Sequence, residues 1–130
     1  MKHYNVVAAV VCHDGKYLCM QKGKTKFEYT SYKWEFPGGK IEPGETPQQA
    51  LARELMEEME YPVEVGEELV TVNHEYPDFS ITMTAFLCTP KGDADGFRRR
   101  EHADSKWCSK DELKGLNWAA ADIDVVEGIL

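Results

Sequence analysis

Three glutamates, Glu54, Glu57 and Glu58, stand on a stretch that reads as an amphipathic helix from Pro47 to about Met59. At about 100° per residue they fall within an arc of about 100°, beside an apolar stripe of Leu51, Leu55 and Met59. Like charges at these spacings each cost a helix roughly 0.2–0.5 kcal/mol, and no Lys or Arg stands four residues C-terminal to any of the three. A divalent cation held by several carboxylate oxygens would offset that repulsion, and hard oxygen ligands select magnesium, manganese or calcium over zinc. A solvated acidic face is the plain alternative. Against it stands the segment before the helix, Gly38-Gly39-Lys40-Ile41-Glu42-Pro43-Gly44-Glu45. This glycine-rich turn carries a lysine up to the helix N-terminus and lets backbone groups approach an anion or a metal closely.

Gly39, five residues, Glu45, seven residues, then Arg53-Glu54-Leu55-Met56-Glu57-Glu58 reproduces the spacing of the Nudix box, G-x5-E-x7-R-E-U-x-E-E-x-G-U, with U a bulky apolar residue. Directly upstream, Trp34-Glu35-Phe36-Pro37-Gly38-Gly39-Lys40 resembles the MutT branch, whose members hydrolyse nucleoside triphosphates. The resemblance continues through Glu101-His102, Trp107 and the stretch from Leu116 to Asp122, so it covers essentially the whole chain. One departure is clear: Glu60 stands where the box has glycine, and Tyr61 fills the final bulky position. Glycine there would take the left-handed conformation that ends a helix, which costs another residue about 1–2 kcal/mol. Either Glu60 bears that strain or the helix ends differently before Pro62.

The resemblance implies a magnesium- or manganese-dependent attack of water on a nucleoside triphosphate, giving monophosphate and pyrophosphate. It assigns Glu57 and Glu58 as the foremost metal ligands, Glu54 as a third ligand or the base, and the Gly39 carbonyl as a further ligand. Glu101 is a further ligand or base. Arg53 would orient the glutamates, Glu45 support the loop, and Lys40 and Lys22 meet the substrate. Arg98-Arg99-Arg100 would either guide the substrate or be solvated. His3, His13, His74 and His102 show no shared spacing, and no chemistry is assigned to them. Asp122 matches, allowing a small gap, the position that faces the nucleobase; it could also cap the last helix, which does not exclude that role. A carboxylate only accepts, which favours an exocyclic amine such as N4 of cytosine. Tyr76, Phe79 and Trp118 are stacking partners or core. Relatives directed at 8-oxoguanine would carry asparagine in place of Asp122 and arginine in place of Phe79. A cytidine-type triphosphate is therefore the first expectation and an oxidised purine triphosphate the second. ADP-ribose or dinucleoside polyphosphate hydrolysis fits the Trp34–Lys40 run less well. A non-catalytic nucleotide- or partner-binding module would be expected to have lost box glutamates, and all are present here. The spacing does not fit a twelve-residue calcium-binding EF-hand loop.

These residues need a scaffold. The 130 residues suit one domain over 1–130, with no repeat or low-complexity tract. Tyr4 to Cys12 is nearly continuously apolar, like a strand buried on both faces. Asp14-Gly15 is a hairpin turn, and Lys16 to Gln21 returns as the second strand. A polar loop runs from Lys22 to Lys33, and Trp34-Glu35-Phe36 is a short strand stopped by Pro37-Gly38-Gly39. Thr46-Pro47-Gln48-Gln49 carries a capping box with proline in the first turn. Glu67–Tyr76 and Ser80–Thr89 form a second hairpin, the latter with Ile81, Met83, Ala85 and Leu87 on one face. Lys91 to Ala103 is a loop, Trp107-Cys108 a short strand, Ser109 to Glu112 a second capping box, and a last helix begins near Asp122. Strands interleaved with helices point to an α/β/α sandwich around a mixed sheet.

The formal charge of −8 argues against a nucleic-acid polymer or anionic membrane as partner. A polyanionic substrate would then need the metal to mediate. The four cysteines show no C-x-x-C pair and read as reduced thiols. No signal-like or spanning apolar block is present, so a cytoplasmic monomer or homodimer is expected.

Overall fold

The computed structural model describes residues 1–130. Its elements in chain order are β1 (Lys2–His13), β2 (Lys16–Lys22), β3 (Trp34–Glu35), β4 (Gly38–Lys40), α1 (Pro47–Met59), β5 (Val63–Glu75), β6 (Phe79–Pro90), β7 (His102–Cys108), α2 (Lys110–Leu113) and α3 (Ala120–Ile129). The strands form one seven-stranded mixed sheet, and β1 is its axis. On one edge β1 runs parallel to β6 from Lys2↔Phe79 to Val11↔Cys88. On the other it divides its partners. Its C-terminal end turns back through Asp14 (φ 51°) and Gly15 (φ 75°) into β2, paired at Cys12↔Tyr17. Its middle, Val6 to Ala8, pairs antiparallel with β4. The sheet therefore splits, with β3-β2-β7 peeling away from β4-β1-β6-β5.

The strand β4 corrects the sequence reading, which took Pro37-Gly38-Gly39 as a stop. A side chain at Gly38 would overlap the Val7 carbonyl, so the missing Cβ is what lets this segment lie against β1. Three smaller boundaries also move. β5 begins at Val63 and pairs with β6 through two register shifts. The strand expected at Trp107-Cys108 extends back to His102, because it pairs with β2 from Tyr17 to Lys22. Finally, α3 begins at Ala120 rather than near Asp122.

Helix α1 has the bounds and the start that its sequence predicts: Thr46 accepts from Gln49 N–H, Gln49 answers the Thr46 N–H, and Pro47 opens the first turn. It ends on Glu60 in the left-handed conformation, φ 48° and ψ 41°, so Glu60 does bear the strain. The second capping box also forms, Ser109 and Glu112 exchanging bonds at the start of α2.

The two faces of the sheet carry separate cores. Leu51, Leu55 and Met59 of α1 pack with Val7, Ala9, Val11, Leu18, Met20 and Phe86. Ala121, Val125 and Val126 of α3 pack with Ala8, Val10, Met83, Ala85, Phe36 and Trp118 on the other face. Each Leu, Met or Phe fully buried in this way contributes about 1.5–3 kcal/mol. Continuous burial of Val7 to Val11 follows from having a helix on each side.

Candidate active site

Two groups of polar residues meet where the sheet splits. The first hangs from α1. Arg53 donates through Nε to Glu45 Oε2 at 2.6 Å, and through Nη2 to Glu45 Oε1 at 2.9 Å and the Lys40 carbonyl at 3.1 Å. Its Nη1 reaches Glu54 Oε1 at 3.0 Å and Glu57 Oε2 at 3.1 Å. The fork thus ties the loop before α1 to the helix face, and the repulsion read from the sequence is partly answered from the N-terminal side. The Arg53 guanidinium holds the Glu45 carboxyl below its usual range, helped by the Glu42 N–H. Glu54 lies against Gly39, where any Cβ would overlap its carboxylate.

Glu58, one turn beyond Glu54, faces the same way. Burial first, and then the charges of Glu54, Glu101 and Glu35, push its carboxyl up to about 8. Like charges close together in a desolvated place each disfavour the ionised form of the others. The charge of Glu101, from the segment before β7, is thus felt at Glu58. Glu57 stands in a different setting on the same helix: its side chain is 61% exposed, against 14% for Glu54, and it pairs with Arg53. The wheel arc that grouped three acids spans two environments. No three of these side chains converge on one point as in a preformed cage. The donor set nevertheless fits a hard divalent cation, being all oxygen, crowded with like charge at Glu58, and flanked by a glycine whose Cβ position the carboxylate fills.

The second group lines a cavity of about 960 Å³ that includes Lys22, Glu35, Gly39, Lys40, Tyr76, Phe79 and Asp122. All five residues assigned to the substrate from the sequence border it. Lys40 places its Nζ 4.1 Å from the centre of the Tyr4 ring, also in the wall. Tyr76 and Phe79 stack at 4.8 Å, and the Tyr76 hydroxyl accepts from Ala121 N–H at 3.1 Å. Trp118 is not in the wall; it stacks on Phe36 and donates to the Leu113 carbonyl, so it belongs to the core.

Asp122 is set in place by β3. Trp34 N–H bonds the Asn117 carbonyl and Ala119 N–H bonds the Trp34 carbonyl, which docks the start of α3 against this strand. The Asp122 Oδ1 then accepts from Phe36 N–H at 2.9 Å. The cap of α3 is Ala119, so Asp122 is free of the capping role that the sequence allowed. Burial first, and then the Glu35 charge, push this carboxyl up to about 8.

Two residues that drew no assignment from the sequence join the groups. Glu35 Oε2 meets His102 Nε2 at 3.0 Å and Glu35 Oε1 lies 3.5 Å from Lys22 Nζ. The His102 side chain is 5% exposed and its Nδ1 has no partner. Sequence separation hid this pair, though Glu35 sits inside the motif that pointed to the branch. The arginine run faces elsewhere: Arg98 and Arg100 pair with Glu60, and Arg99 with Asp104. All four cysteines are free, and no helix is long and apolar enough to cross a membrane.

Known proteins resemble this chain in sequence and fold. The family described as NUDIX domain matches residues 1–127. The CTP pyrophosphohydrolase of Escherichia coli K12 is 36% identical over 131 residues, covering 100% of this chain and 93% of that one. An 8-oxo-dGTP diphosphatase of Proteus vulgaris is 41% identical over 88 residues, 68% of this chain and 78% of that one. Among solved structures, the E. coli ORF135 protein superimposes with a TM-score of 0.82 at 35% identity, over 99% of this chain and 89% of that one. The MutT protein of methicillin-resistant Staphylococcus aureus 252 gives 0.73 at 38% identity, over 99% and 97%. With the box residues gathered at the split in the sheet and the family match running almost end to end, the chain belongs to the NUDIX domain family and is a Nudix hydrolase of the MutT type.

Proposed function

We propose that the chain hydrolyses a nucleoside triphosphate to the monophosphate and pyrophosphate with magnesium, manganese substituting, and that a cytidine-type base is preferred. The observation that carries this reading is the adjacency of the two groups: the cavity that ends on Asp122 opens beside Gly39 and Lys40, next to the carboxylates of α1. A base seated on Asp122 would have its phosphates directed toward those carboxylates. The magnesium would neutralise phosphate oxygens and make water a better nucleophile. Glu54, Glu58 and Glu101, with the Gly39 carbonyl and Glu57, are the groups that would hold it.

The chain's own residues do the rest. Arg53 keeps Glu54 and the Lys40 backbone in register across the loop. Lys40 and Lys22 supply positive charge at the cavity wall, which a protein of net charge −8 needs for a polyanion. Tyr76 and Phe79 offer ring faces for the base. Asp122, its Oδ1 held by Phe36, presents its other oxygen to the base edge. A carboxyl raised to about 8 carries its proton at neutral pH, so it donates as well as accepts. That suits N3 and the N4 amine of cytosine. It equally suits O6 and N1–H of a purine such as 8-oxoguanine, which keeps an oxidised purine triphosphate as the second reading. The relatives named CTP pyrophosphohydrolase and 8-oxo-dGTP diphosphatase support these two in that order of coverage.

The test is turnover of a panel of ribo-, deoxyribo- and oxidised triphosphates with magnesium, products separated chromatographically. Metal-dependent release of pyrophosphate, highest kcat/KM for a cytidine-type substrate and loss in Glu58→Gln are expected. Turnover of none of the triphosphates by folded protein would remove the reading.

A further inference from the structure

Four consecutive residues at the end of α1 hold the segment that connects β6 to β7. The Met59 carbonyl accepts from Arg98 N–H at 2.8 Å and the Pro62 carbonyl from Lys91 N–H at 3.0 Å. The Tyr61 hydroxyl donates to the Ala94 carbonyl at 2.7 Å, and its ring meets Phe97 edge-on. Between them Glu60 Oε2 receives Arg98 Nε at 3.0 Å and Arg100 Nη2 at 2.8 Å. Of the four, only Glu60 contributes a charge, and it does so from a left-handed backbone.

Stability does not account for Glu60. Ion pairs this exposed contribute roughly 0–1 kcal/mol each, and the left-handed backbone costs a residue other than glycine about 1–2 kcal/mol, so the two offset. What the two pairs do is geometric. Arg100 is followed at once by Glu101 and then by His102, whose Nε2 meets Glu35 Oε2 of the cavity wall at 3.0 Å, so Glu101 is held between the Glu60 pairs and the cavity, and its charge is felt at Glu58. Two arginines on one carboxylate fix the direction from which Glu101 enters the site. The Nudix box has glycine at this position, so the device belongs to this chain.

We propose that Glu60 is a positioning residue: it latches the Arg98–Arg100 segment to the end of α1 and thereby sets Glu101 beside Glu58. The proposal rests on Glu101 serving the metal site. The test is manganese titration of substrate-free protein, free ion followed by its paramagnetic resonance signal, together with the thermal midpoint without metal. Glu60→Gly is expected to weaken manganese binding by about three- to tenfold, below the 10–100-fold typical of a direct partner of a metal ligand. Its thermal midpoint is expected to stay level or rise, because the strain is gone. In an Arg98→Ala/Arg100→Ala background Glu60→Gly adds no further loss. Glu101→Gln separates the two assignments. If it weakens binding and Glu60→Gly does not, the latch is overturned and the metal site stands; if it leaves binding unchanged, Glu101 is no ligand and both fall. A lowered midpoint in Glu60→Gly would assign the pairs to stability and overturn the latch as well.

Discussion

Glu58 and Asp122 end at the same place by different routes. Both carboxyls are pushed up to about 8, and burial is the first cause for each. Around Glu58 stand three further carboxylates; around Asp122 stands one, Glu35, countered by the Phe36 N–H. On the proposed function, the first is an unfinished electrostatic site that a cation would complete, and the second a protonated group that a neutral base edge would complete. The one would serve the phosphates and the other the choice of base. They hang from helices packed on opposite faces of the sheet, and the charge of Glu35 is felt by both.

The comparison breaks most sharply at Glu58. Glu58→Gln is expected to lower kcat by more than about a hundredfold, beyond the 10–100-fold that outer-shell partners alone cost. Glu57→Gln should cost clearly less, because that side chain is exposed and tied to Arg53. Steady-state kinetics on the two variants decides it, and equal losses would mean that the cation draws Glu57 in. Arg53→Lys keeps the charge but loses the fork that spans Glu45, Glu54 and the Lys40 carbonyl, and a 10–100-fold fall in kcat is expected. At the other pole, Asp122→Asn should move KM for the preferred base by about tenfold, one hydrogen bond's worth, and leave kcat nearly unchanged.

The same variant sharpens the contrast through pH. Asp122 has a folded value near 8 against 3.8 unfolded, so the folded chain binds the extra proton between them. Its contribution to stability is therefore most favourable below about pH 4, falls as pH rises, and levels off above about 8. Thermal melts should show Asp122→Asn equal to the parent near pH 4 and progressively more stable than it toward pH 8. A constant difference across that window would mean that Asp122 is ionised in the folded protein. The smallest effect on turnover belongs to Trp118→Phe, which loses the bond to the Leu113 carbonyl. That carbonyl keeps only the longer bond from Leu116 N–H at 3.4 Å, and losing the indole bond costs about 0.5–1.5 kcal/mol, visible as a lower melting point with kcat and KM intact.

Much of this was legible in the sequence where the signal is local. Thr46, Pro47 and Gln49 announce α1, Asp14-Gly15 the first hairpin, and Ser109 with Glu112 the short helix, because caps and turns are built from neighbours. The box spacing likewise singled out Glu54, Glu57, Glu58 and Gly39 as candidates. What stayed hidden depends on distant partners. Gly38 to Lys40 reads as a turn until β1 is placed beside it. A helical wheel puts Glu57 and Glu58 in one arc, yet only Glu58 is desolvated and within reach of the charges of Glu35 and Glu101, which come from distant parts of the chain. Glu35 and His102 lie 67 positions apart, and no periodicity links them.

The parallel pairing of β1 with β6 joins positions as distant as Lys2 and Phe79. Closing so long a loop is entropically costly before any contact offsets it, and folds dominated by such pairings form slowly. Every element of the site hangs from this one ladder: β4 on the middle of β1, α1 behind β4, and β2 with β7 on the end of β1. On the proposed function, a copy whose first strand has not yet found the sixth would have neither a place for the base nor a place for the cation, and would be inert toward nucleotides.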